Sequence, residues 1–62
     1  MGVDANGLRA RAAEMRKRAD RLAQVAHAVK DPAMLDAYTA IIAEYDALAL
    51  QLERMADDFR PP

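Results

Sequence analysis

Between residues 3 and 60 the chain holds one proline, Pro32, in the stretch "VKDPAML". Everything on either side of it is rich in alanine, leucine, arginine and acidic residues, the composition of helices. A proline inside a helix loses a backbone hydrogen bond and clashes with the preceding turn. At the first position of a new helix it fits, and Asp31 before it is a good N-cap. The sequence therefore predicts two helices, over about 4–30 and 32–59, joined by a link too short for anything but an antiparallel return. A single kinked helix is the alternative. β-branched clusters and Asn-Gly or Asp-Gly turns are missing, so the expected class is all-α.

The first helix should start at Asp4, which can cap free amides, with Val3 and Leu8 placed as a hydrophobic staple. Its apolar residues recur by sevens. Leu8, Met15, Leu22 and Val29 form one row, and Ala5, Ala12, Ala19 and Ala26 the companion row, a heptad seam with alanine at every a position. Such a seam lets a neighbouring helix approach closely. In the second helix the expected seam is Met34, Tyr38, Ile41, Tyr45, Leu48, Leu52, Met55 and Phe59. Folding back about residue 30 puts Ala12 near Leu48, Ala19 near Ile41 and Ala26 near Met34, with Leu22 near Tyr38 and Met15 near Tyr45. Small then opposes large, as close packing prefers. Pro61 and Pro62 are expected to stop the second helix, with Phe59 closing the end of the bundle.

One seam does not use up the apolar residues of "YTAIIAEYDALALQLERMADDF". Leu35, Ile42, Ala49 and Ala56 form a row beside it, and Ala40, Ala43, Ala47 and Leu50 another. A helix apolar on nearly all sides is normally buried on nearly all sides, and one partner helix cannot do that. Size presses the same way. A chain of 62 residues is near the lower limit for a self-sufficient core, and without cysteine it has no disulfide or thiolate metal site to help. The expectation is a homodimer of hairpins forming a four-helix bundle, since two-fold dimers are the commonest assemblies. Its association or partner face is expected at Leu35, Ile42, Leu50, Tyr38, Tyr45, Leu52 and Phe59, and another protein is a further candidate partner.

Charge is divided between the halves. Arg9, Arg11, Arg16, Lys17, Arg18, Arg21 and Lys30 outnumber Glu14 and Asp20 in the first, whereas Asp36, Glu44, Asp46, Glu53, Asp57 and Asp58 outnumber Arg54 and Arg60 in the second. Arg9, Arg11, Arg16 and Arg18 flank the first seam. Glu44, Asp46, Glu53 and Asp58 lie on or near the flanks of the second, so pairing between helices is the plain reading. The alternative is a nucleic-acid accessory protein using a basic face of Arg9, Arg16, Lys17 and Arg21, against which the net charge of −1 argues. Membrane-surface binding by the first helix is weaker still, its apolar stripe being mostly alanine. No apolar run approaches bilayer length, and no signal-peptide pattern is present, which predicts a soluble, cytoplasmic protein.

Chemistry is harder to find. His27 and Asp31 have the spacing of half a metal site, but structural zinc needs four ligands. A di-iron bundle needs Glu-x-x-His, and Gln24 stands three residues before His27. There is no serine or cysteine, Thr39 has no histidine within reach, and glycine is too scarce for a phosphate loop. The sequence thus predicts no catalytic, metal or cofactor-binding residues and a protein that is not an enzyme. Tyr38, Tyr45, Met15, Met34 and Met55 are expected as core residues.

The run from Leu8 to Ala56 resembles small helical-hairpin proteins abundant in alphaproteobacteria. In these an Arg/Ala-rich helix leads through an Asp-Pro turn into an "IAxEYDxLA" helix. The matching residues are Arg11, Ala12, Arg18, Ala19, Asp31, Pro32, Ile42, Ala43, Glu44, Tyr45, Asp46, Leu48 and Ala49. The resemblance implies a helical hairpin and carries no activity with it.

Overall fold

The computed structural model describes residues 4–59. Helix α1 spans Ala5–Ala26 and helix α2 spans Pro32–Asp58, packed side by side along their length as an antiparallel hairpin with no strand among the described residues. Both helix starts are as the sequence reads. The Asp4 carboxylate accepts from the Gly7 amide at 2.6 Å, and the Asp31 carboxylate accepts from the Ala33 amide at 3.2 Å. Pro32 occupies the first turn of α2, where its missing N–H leaves nothing unsatisfied. The Val3 half of the proposed staple, and Pro61 and Pro62, lie outside the described residues.

Helix α1 ends at Ala26, with His27 as its C-cap, rather than near residue 30. The reason is reach. Antiparallel helix axes sit about 8–10 Å apart, whereas consecutive Cα atoms are only about 3.8 Å apart, so a one-residue link cannot cross between them. The last turn is given up for the crossing. On the way out, the amides of Ala28 and Val29 donate to the carbonyls of Val25 and Ala26, a tightened final turn that satisfies carbonyls the helix leaves free.

The α1 seam is as expected, with Leu8, Ala12 and Ala19 buried and Met15, Leu22 and Ala26 half-buried. The α2 seam is not. Ala49 and Ala56 are its enclosed residues, at 0% and 2% exposure, with Ile42, Tyr38, Tyr45 and Leu52 half-buried around them. Met34, Ile41, Leu48, Met55 and Phe59 are exposed. Each of the first four stands one residue before Leu35, Ile42, Ala49 or Ala56. Because Tyr38, Tyr45 and Leu52 keep their place beside the seam, the helix is turned by only about half of the roughly 100° that one residue represents. Alanine on α1 explains this, because close approach along an alanine row is realised only if the facing row is also small. The hairpin sets Ala12 and Ala19 against the row of Ala49 and Ala56, small on small. The lengthwise register differs as well. Arg16 meets Glu53, about two and a half turns beyond the residue that a fold about position 30 assigns to it. Phe59 caps α2 through its backbone, and its side chain is exposed on the lone hairpin.

The result is a thin rod, 51 × 16 × 14 Å, with a radius of gyration of 14.6 Å, against about 11 Å for a compact domain of this length. Its accessible surface is 4945 Å², where a compact protein of this mass has about 4,000 Å². Among the described residues no helix is long and apolar enough to cross a membrane.

Candidate association surface

The seam divides the rod into two unlike sides. On one, ion pairs cross between the helices. Arg16 grips Glu53 with two hydrogen bonds, Nη2 to Oε1 at 2.6 Å and Nε to Oε2 at 3.3 Å, and Arg9 reaches Asp57 at 3.4 Å. The guanidinium of Arg16 holds the Glu53 carboxyl below its ordinary value of 4.5, chiefly through the hydrogen bond and then through its charge, against partial desolvation. These groups remain well hydrated, so the pairs fix the lateral register of the helices more than they stabilise them.

Met15 on α1 and Leu52 on α2, one position before Arg16 and Glu53, open with Leu48 onto the other side. There they line a shallow groove of about 380 Å³ together with Arg11, Glu14 and Arg18. Along this side of α2 runs the row Met34, Ile41, Leu48 and Met55, spaced by sevens and 41–51% exposed, with the exposed Phe59 beside its end. Tyr38, Tyr45 and Leu52, four residues after successive members of the row, fill the strip between it and the seam, and Met15 and Leu22 border it on α1. The face is apolar along most of the rod. Covering half-exposed side chains of this size is worth roughly 1 kcal/mol each, so the row and Phe59 together represent about 5 kcal/mol, comparable with the whole stability of a small domain.

The residues expected to form one association face fall in two places. Tyr38, Tyr45, Leu52 and Phe59 border the exposed row. Leu35 and Ile42 instead line a second groove near the turn with Ala23, Ala26, His27 and Val29, and Leu50 is exposed on α2 away from the row. Sequence reasoning missed the row itself by assigning it to the seam. The signal that separates the two rows is Ala49 and Ala56, the small residues an alanine partner selects.

Of the basic residues considered for nucleic acid, Arg9 and Arg16 are engaged by carboxylates of α2, while Lys17 and Arg21 are exposed on α1. Arg18 lies 3.7 Å from Glu14 on its own helix. His27 sits exposed at the end of α1, and the Asp31 carboxylate is occupied by capping. The Thr39 hydroxyl donates to the Leu35 carbonyl at 2.9 Å. Among the described residues no group of three or more His, Asp or Glu side chains is placed to hold a metal ion. No protein-family model, curated protein or solved structure matches the chain.

Proposed function

We propose that this chain is a non-enzymatic interaction or structural module that works as a homodimer, two hairpins closing their apolar faces on each other as a four-helix bundle in the cytoplasm. The row of Met34, Ile41, Leu48 and Met55, exposed on one side of a rod whose own seam is already filled, carries this reading. A rod of 51 × 16 × 14 Å offers one long side of about 800 Å², the area each partner gives to a standard interface. The flexible thioethers of Met15, Met34 and Met55 suit a surface that must repack against a partner. The nucleic-acid alternative is weaker, because half of its basic face is neutralised by Glu53 and Asp57. The same reading sets the chain beside the alphaproteobacterial hairpin proteins that its sequence resembles.

Sedimentation equilibrium over a range of concentrations, with helicity followed in parallel, tests it. The expected result is twice the 6.8 kDa chain mass with full helicity. Leu48→Glu should weaken the dimer at least about a hundredfold, since a charge buried mid-interface costs on the order of 3 kcal/mol or more. The hairpin itself should persist, because Leu48 lies outside its seam. A wild-type chain that stays monomeric and fully helical at every concentration overturns the reading.

A further inference from the structure

Two identical rods can close face to face about a two-fold axis in either of two simple ways. With the axis parallel to the helices, α1 of one chain lies over α2 of the other and both turns are at the same end. With the axis across the helices, α1 lies over α1, α2 over α2, and the turns are at opposite ends. Both arrangements cover the same apolar row. What separates them is the charge along the two edges of the face.

The α1 edge is basic. Arg11 and Arg18, seven residues apart, stand four before and three after Met15 and line the groove beside it. The α2 edge is acidic and polar. Glu44, Gln51 and Asp58 follow Ile41, Leu48 and Met55 by three residues each, on the flank away from the seam, and all three are exposed. Residues three and four apart are neighbours on a helix surface, so each edge runs directly beside the apolar face it borders. Glu14 draws on Arg18 at 3.7 Å, a long and solvated contact that leaves the Arg18 guanidinium able to reach across a rim.

Resting on the homodimer reading, we infer that the second copy docks with its helices parallel to the two-fold axis, α1 over the partner's α2, and both turns at one end. In that arrangement a basic edge meets an acidic edge twice, once on each side of the bundle. The crosswise arrangement instead sets Arg11 and Arg18 against their own copies and Glu44 and Asp58 against theirs. An axis along the helices also preserves heights, so the intrachain pairs Arg16–Glu53 and Arg9–Asp57 fix which levels meet. Arg11 comes level with the turn from Met55 to Asp58, and Arg18 with the turn from Leu48 to Gln51, one turn from Glu44. Complementary edges of this kind select orientation and exclude the wrong one more than they add affinity.

The chain has no cysteine, so one can be introduced as a clean reporter. Lys30→Cys, in the exposed turn, is labelled with a nitroxide, and the label-to-label distance is measured by pulsed electron spin resonance on a sample whose mass is read by sedimentation. Turns at one end place the labelled backbones about one helix spacing apart, ~10 Å. Turns at opposite ends separate them by about the length of α2, ~40 Å. A dimer with the short distance supports the inference. A dimer with the long distance overturns the orientation and leaves the homodimer standing, whereas a monomer overturns both.

Discussion

At the residue scale the hairpin rests on alanine. Ala49 is fully enclosed and Ala12, Ala19 and Ala56 nearly so, which makes the seam intolerant of volume rather than of its loss. Ala49→Leu should destabilise by about 1–3 kcal/mol through overpacking, while Ala47→Leu, two residues away and exposed, should be close to neutral. Chemical denaturation of the two variants side by side makes the comparison. The Arg16–Glu53 pair gives a second residue-scale expectation. Because folding lowers the Glu53 carboxyl below 4.5, the pair's contribution is present above that pH and is lost as pH falls through the folded value. Glu53→Gln should therefore flatten the acid limb of the stability curve below about pH 4.5 and alter it little in mutual comparison at lower pH, where wild type has lost the pair as well; thermal melts from pH 7 to 3 read this. The identity of α1's seam was legible from its residues, since Ala12, Ala19 and Leu8 recur at the right spacing. The α2 seam was not, because Ile41 and Ile42, or Leu48 and Ala49, are adjacent and both rows are apolar. Only the depth of the partner's alanine groove decides between them.

At the scale of elements, the signals that begin a helix proved easier to read than those that end one. A capping carboxylate and a proline are local chemistry, and Asp4 and Asp31 accept the amide bonds that such residues are suited to accept. The end of α1 depends instead on the spacing between two helices, which no residue near Ala26 encodes by itself. Asp31→Ala should cost about 1 kcal/mol, as loss of an N-cap generally does, and should loosen the start of α2 while the far ends of both helices stay protected. Amide hydrogen exchange near Ala33 to Leu35, measured beside a denaturant titration, distinguishes local fraying from global loss. Gly7 belongs to the same local logic at the other start. A Cβ there would stand 3.1 Å from the capping oxygen of Asp4, so the small residue gives the carboxylate room to reach the Gly7 amide.

At the scale of the whole molecule, the all-α hairpin and its antiparallel return followed from one proline and two heptad rows. The surplus of apolar residues on α2 was equally visible. Its location was misjudged by one residue, and that step separates the groove of Leu35 and Ile42 from the row of Met34, Ile41, Leu48 and Met55. Both rows satisfy the spacing of a helix face, so periodicity alone could not rank them. An alanine seam has one more consequence, for the way stability depends on temperature. The heat capacity released on folding scales with the apolar area withdrawn from water, and methyl groups on alanine withdraw little. A lone hairpin must therefore have a shallow stability curve, nearly flat between cold and warm. In the proposed dimer, the curvature expected of an ordinary globular protein comes from joining two chains more than from folding either one.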